Sequence, residues 1–258
     1  MSDTDQYFYG QGKVELAEIL PGGELGPYIW VGDVSELSGT MSQTAINHRE
    51  SFSGKKAKVR EFFTELGIDW SATLHKIDAD NIAKFSLGTL TSQVAGTVTG
   101  EAFPPGLVDG DVIQLAKTNV TSLVLTDSAT PTPVTLVRGT HYEYDVFGDV
   151  ELLTLPTTPA PTQPLVAAYS NGATRQAALL NGTRKNYALR YKGINLAEND
   201  KPVLLEVYKV SPGLLQTLAM ITSGNQLAGA PVTFTSLLDT SKPANGALGQ
   251  YGRYVELV

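Results

Sequence analysis

The 258-residue chain contains no cysteine. That excludes a disulfide framework, a thiolate zinc site, an iron–sulfur cluster and a cysteine nucleophile. It fits assembly in a reducing cytoplasm. Histidine is nearly as scarce. The three present, His48, His75 and His141, are far apart and make no HxxxH or HExxH pair, so no metal spacing exists. Each reads as a surface or packing residue. No apolar run approaches the ~20 residues needed to span a bilayer. The acidic start, MSDTDQ, lacks the basic and apolar regions of a signal peptide. No membrane anchor and no export signal are therefore expected. Charged residues make up only 17%, with a net charge of −7. This argues against general affinity for nucleic-acid backbones, which needs clustered Lys and Arg. Solubility alone accounts for the sign.

Reactive constellations are also missing. Asp78-Ala79-Asp80-Asn81 and Asp109-Gly110-Asp111 resemble pieces of calcium loops, but neither continues to the Gly and Glu that such a loop requires. The first reads as a helix cap and the second as a turn. Gly10-Gln11-Gly12-Lys13 has the wrong spacing for a phosphate loop and no preceding strand. It reads as a flexible lead into a strand, Val14–Ile19. No Gly-x-Ser-x-Gly elbow occurs. Asn119-Val120-Thr121 and Asn181-Gly182-Thr183 match a glycosylation sequon but read as turn chemistry. Scattered carboxylates can meet only in the fold. No cofactor, no metal and no catalytic residue are expected, and the chain reads as a non-enzyme.

What is abundant is punctuation. The chain has 25 Gly and 14 Pro, separating short runs of Val, Thr, Tyr, Leu and Ile, which predicts a mostly β architecture. Tyr187–Lys192 alternates with period two, and Ile68–Ile77 does likewise. Further strands are expected at Val112–Leu115, Ser122–Thr126, His141–Val146, Pro164–Ser170, Val203–Val210, Val232–Leu237 and Gln250–Leu257. Val203–Val210 is apolar on both faces and so belongs at the centre of its sheet. One helix of about ten residues is expected, capped by Asp78 or Asp80 and stopped at Gly88. Lys55–Leu66 stays open. Val59, Phe62, Phe63 and Leu66 stand at helical spacing, while Glu65-Leu66-Gly67-Ile68 could instead turn Val59–Thr64 back on Ile68–Ile77 as a hairpin. Residues 101–168 carry three Pro-rich loop signals and read as an elaboration on a single domain spanning 1–258.

The order of several short segments resembles a known family. Gly32-Asp33-Val34-Ser35-Glu36-Leu37-Ser38 is followed by a polar stretch, Gln43–Ser53, that ends in His48-Arg49-Glu50-Ser51-Phe52-Ser53-Gly54. Asp69-Trp70-Ser71-Ala72-Thr73-Leu74 leads into Asp78-Ala79-Asp80-Asn81-Ile82-Ala83. Gly139-Thr140-His141-Tyr142-Glu143-Tyr144-Asp145 with Gly148-Asp149-Val150-Glu151-Leu152 has the pattern of a hairpin common in phage tail components, except that His141 stands where that pattern has Asp. Lys192-Gly193-Ile194-Asn195 and Lys201-Pro202-Val203 resemble two paired strands. Together these are similar to the major tail tube proteins of long-tailed, siphovirus-type bacteriophages.

The resemblance implies a β-sandwich or barrel subunit with one short flanking α-helix and a long inter-ring loop. It implies hexameric rings that stack head to tail into a non-contractile tail tube of the virion, assembled in the host bacterial cytoplasm. Partners would be further copies of the chain and the tail tip, tape measure and tail terminator proteins, with genomic DNA passing through the lumen without specific binding. The inter-ring loop maps to Met41–Lys58. The candidate contacts are Met41, Gln43, Asn47, His48, Arg49, Glu50, Phe52, Lys55, Lys56 and Lys58. A ring of six such acidic subunits would keep DNA from sticking to its wall if the acids face the lumen. Two rival readings are another virion structural protein, such as a tail terminator or capsid decoration subunit, and a carbohydrate-binding β-sandwich. For the latter, Trp30 and Trp70 could stack on sugar rings, although Trp70 lies on the apolar face of its strand and so reads as core.

Overall fold

A computed structural model describes residues 6–225 and 227–257. Most of the acidic start, Met1–Asp5, lies outside the described residues. In chain order the elements are β1 (Gly10–Glu18), β2 (Ile29–Trp30), β3 (Val34–Arg49), β4 (Lys58–Leu74), α1 (Ala79–Phe85), β5 (Thr89–Gln93), β6 (Gly96–Ala102), β7 (Val112–Gln114), β8 (Val120–Thr126), β9 (Tyr142–Tyr144), β10 (Asp149–Leu152), β11 (Val166–Asn171), β12 (Thr174–Ala178), β13 (Tyr187–Asn195), β14 (Lys201–Pro212), β15 (Ala230–Ser236) and β16 (Gly252–Glu256). A short 3-10 turn, Leu196–Glu198, precedes β14. The protein is mostly β, with several sheets and one short α-helix.

The chain divides into two compact units. The first runs to Thr89 and resumes at Ala177; the second is Leu90–Gln176 and includes all of 101–168. The first unit is built on an eight-stranded sheet of order β2-β1-β13-β14-β15-β4-β3, with β16 also pairing β14. Strand β14 divides its partners along its length. Val203–Val207 pair with β16, and Val210–Pro212 pair with β15. Its central place agrees with its apolar content on both faces. The core joins Val14, Leu16, Leu74, Leu189, Val207, Val210, Val232 and Phe234. Helix α1 is capped by Asp78, whose carboxylate accepts from Asn81 N–H at 3.0 Å. Asn81 donates onward to the carbonyls of Val31 (2.7 Å) and Lys76 (2.9 Å). At seven residues the helix is too short to persist alone. It is held by Phe85, which meets Phe234 edge-on at 5.7 Å between ring centroids.

The second unit contains two three-stranded sheets, β7-β10-β9 and β6-β11-β8, around Leu125, Val150, Leu152, Leu165 and Ala167, all fully buried. The Gly139–Leu152 passage forms an antiparallel hairpin, β9 against β10. Buried Asp127 accepts from Val134 N–H (2.6 Å) and Thr162 N–H (3.1 Å). One carboxylate thus ties two of the three Pro-rich loops of this unit.

Four expectations are corrected. Lys55–Leu66 is neither a helix nor a separate hairpin: from Lys58 it belongs to one unbroken 17-residue strand. Gly67 makes no turn, because it pairs with Ser42. The false helical spacing arises because Phe62 and Phe63 sit beside a bulge at Thr64 and point to opposite faces. Met41–Lys58 is not a long loop, since Met41–Arg49 is strand and only Glu50–Ala57 lies between β3 and β4. Gly10–Lys13 is no flexible lead but the paired start of β1. The positive φ after the helix falls on Leu87 (49°), not on Gly88. Gly88 is required for close approach, because a Cβ there would stand 2.1 Å from the Ala178 carbonyl oxygen.

Candidate functional site

Strands β3 and β4 pair from Val34↔Leu74 out to Arg49↔Lys58. Strand β15 supports β4 only from Asp69 to Leu74. Beyond that point no third strand pairs with the hairpin, which continues as a two-stranded arm tied near its root by the Tyr251 hydroxyl, a donor to the Leu66 carbonyl at 3.1 Å. Nine residues, Met41–Arg49, at roughly 3.3 Å each give it a reach of about 30 Å. Two-stranded ribbons are marginal in water without cover.

Alternation assigns the arm's faces. Leu37, Gly39, Met41, Gln43 and Ala45 share one side with their partners Ala72, Trp70, Ile68, Leu66 and Phe63. At the base this side packs on the core, and Trp70 donates to Ser236 Oγ at 3.0 Å. Gly39 is needed there, since a Cβ would sit 2.6 Å from the Trp70 ring. Farther out the same row continues largely uncovered. Met41 is 81% exposed, Leu66 60% and Phe63 59%. On the other side Ile46 and Phe62 form a smaller exposed apolar pair.

The arm's tip is closed by one carboxylate. Glu50 is buried, with 7% exposure. Its Oε2 accepts from Phe52 N–H (2.9 Å) and Ser53 N–H (2.8 Å), and its Oε1 from Ala57 N–H (3.2 Å) and the Ser53 hydroxyl. The Ser53 hydroxyl, followed by the backbone donors, pulls the carboxyl down to about 2. Arg49 donates to the Lys56 carbonyl at 3.3 Å. The turn is therefore pinned from inside, while Phe52 projects from it at 89% exposure. Residues 49–60 carry +4 in a chain of −7, which leaves −11 on the rest.

The opposite side of the base has another character. Glu36, Ser38, Thr40, Ser42 and Thr44 alternate along β3 and pair with Thr73, Ser71, Asp69, Gly67 and Glu65 of β4. Thr233 and Thr235 of β15 pair with Ser71 and Asp69. Out to Thr44 and Glu65 this surface is rich in hydroxyls and carries three carboxylates and no cation.

The ten residues singled out in the sequence all lie on the arm, strung along it rather than gathered at one point. Met41 and Gln43 stand on the exposed apolar row. Asn47 faces Glu61, His48 faces Arg60 and Arg49 faces Lys58. Glu50, Phe52, Lys55 and Lys56 make the tip. Sequence reasoning missed Phe63 and Leu66 of the row and the hydroxyl-rich face. The period-two run Ser38, Thr40, Ser42, Thr44 was the available signal for that face. Trp30 is exposed under the Lys13 ammonium (5.2 Å), and Trp70 is half-buried.

His75 Nδ1 lies 3.0 Å from the Ala228 carbonyl, and His141 Nδ1 accepts from Val137 N–H at 3.0 Å. Among the described residues no group of His, Asp or Glu is arranged to hold a metal ion, and no helix is long and apolar enough to cross a membrane. No curated protein matches the chain. A family model, described as Protein of unknown function UCP028589, matches residues 7–255, and the chain belongs to that family.

Proposed function

We propose that this member of the family is a structural subunit of a long-tailed bacteriophage, which forms rings that stack head to tail into the tail tube. The observation that carries the reading is the free arm, whose uncovered apolar row extends the core-facing side of its own sheet. A subunit that leaves such a surface exposed gains by placing it on a neighbour. If the arm docks on a different surface of the next copy, the contact is heterologous and propagates into a ring or a filament. The hydroxyl-rich face of β15-β4-β3 supports the second half of the reading. With three carboxylates and no cation, such a wall repels passing phosphates rather than binding them.

The decisive experiment is negative-stain electron microscopy of the concentrated protein, with light scattering alongside. Tubes with a stain-filled channel and a regular axial repeat are expected. Closed rings that never stack, or a monomer that binds glycans, would overturn the reading in favour of a tail terminator, a decoration subunit or a carbohydrate-binding module. Within tubes, changing Glu65 and Asp69 together to Lys is expected to slow DNA passage. Unchanged ejection would remove these acids from the lumen.

A further inference from the structure

The first unit contains a cleft of about 840 Å³. It lies between the start of β1 and the free edge of β3, and its lining includes Phe8, Tyr9, Trp70, Tyr191, Tyr254 and Asp33. Tyr191 can lie flat there because Gly12 and Gly193 have no side chains: a Cβ on either would come within 2.7 Å of its ring atoms or hydroxyl. Phe8, Tyr9 and Tyr254 are more than half exposed. The cleft is thus an open aromatic recess of ordinary ligand-site size, with acids at its rim: Asp33 and Glu36 line it and are exposed. Neither makes an ion pair among the described residues.

We infer that this cleft receives the β3–β4 tip of a second copy of the chain, with Phe52 entering among the aromatic rings and Lys55 and Lys56 meeting Asp33 and Glu36. The inference rests on the self-assembly proposed above and names the surface that accepts the arm. Three observations select this occupant. The tip is an apolar knob in a basic setting, and the cleft is an apolar recess in an acidic one. The tip carries +4 while the rest of the chain carries −11, so the body of another copy is an attractive partner for it. The tip cannot reach its own cleft: β4 runs unbroken from Trp70, in the cleft wall, out to Lys58, which places them about 40 Å apart at roughly 3.3 Å per residue. Donor and acceptor on one chain, held apart by the length of β4, make a contact that each copy uses twice and that extends indefinitely.

The absence of native cysteine gives a clean test in the full chain. Ser51→Cys places a thiol on the tip and Ser35→Cys one on the cleft rim; both positions are exposed. Under mild oxidation the double variant is expected to give a ladder of dimers, trimers and longer species, while each single variant stops at dimers. A second pair of variants tests the charges. Asp33→Lys with Glu36→Lys should block assembly, and adding Lys55→Glu with Lys56→Glu in the same chain should restore it. Tubes without a ladder would overturn the cleft as acceptor and leave the tube reading standing. A ladder without tubes would support the cleft and remove the tube. Tubes unaffected by Lys55→Glu with Lys56→Glu, together with loss of duplex-DNA binding in that variant, would overturn the inference by assigning the basic tip to nucleic acid.

Discussion

Val34–Thr40 and Met41–Arg49 are two halves of one strand, as are Asp69–Leu74 and Lys58–Ile68 of its partner. Both halves alternate with the same period and share one register apart from local bulges. Yet the inner half is covered. Ala72 and Leu74 are buried, β15 pairs alongside, and Trp70 is fixed by Ser236. The outer half presents Met41, Leu66 and Phe63 to solvent on the corresponding side. Pattern therefore decides which side chains would face a core, and neighbouring elements decide whether a core is there. An apolar row that outruns its own cover is the surface that the proposed assembly would bury.

The comparison can be broken most strongly at the inner half. Phe234→Ala removes a fully buried ring that packs on both the sheet and α1. It should cost about 3–5 kcal/mol, read by denaturant unfolding. Loss of less than about 1 kcal/mol would mean that the inner half is not the stabilising one. The outer half should respond in the opposite sense. Phe63→Ser with Leu66→Ser should leave monomer stability within about 0.5 kcal/mol. If both side chains are covered on assembly, at about 1.5–3 kcal/mol each, the concentration needed for assembly should rise by about a hundredfold or more. A folded variant that assembles at the wild-type concentration would show that the row is not an interface. At the boundary, Trp70→Phe deletes only the bond to Ser236 and part of the ring. A cost of about 1 kcal/mol is expected, with the arm's own hydrogen exchange unchanged.

The smallest effect belongs to the tip. The Glu50 carboxyl is held near 2, below its ordinary value of 4.5. Because its pKa is lowered in the folded state, its contribution is complete above about 4.5 and is lost as pH falls from there through about 2. The amides of Phe52, Ser53 and Ala57 should then exchange faster than those of Ser71 and Ala72, after correction for the intrinsic pH dependence of exchange. Glu50→Gln should show the same local loosening already at neutral pH. Equal protection of tip and base throughout that range would separate Glu50 from the closure of the turn.

Much of the fold was legible because it depends on short-range chemistry. Tyr187–Lys192, Val203–Val210 and Val232–Leu237 alternate or are largely apolar; the first two fall within strands, and the third does so as far as Ser236. The carboxylate of Asp78 needs only a backbone donor three residues on to start a helix. The arm was less legible. Val59, Phe62, Phe63 and Leu66 fit a helical template because a bulge at Thr64 shifts the strand's phase by one residue, and nothing in the residues announces a bulge. Met41–Lys58 was expected as a loop from the family resemblance, and its polar side chains carry no burial signal to say otherwise, since a ribbon with solvent on both faces needs none. Glu50 could not be seen as the closing group of the turn, since its donors converge on it only once Ala57 has come back across from it.

By itself the sequence determined the mostly β class, the helix cap at Asp78 and the absence of thiol chemistry. These follow from residue type, spacing and charge, which act over a few residues. Only the tertiary structure decided that β3 and β4 run on past Met41 and Ile68 as a two-stranded arm with a basic, carboxylate-pinned tip. It also showed that the apolar row outruns β15, and that Tyr191, Trp70 and Tyr254 surround one acid-rimmed cleft. Those facts depend on which strands become neighbours across more than a hundred residues of chain, and that pairing is fixed by mutual burial rather than by any local preference.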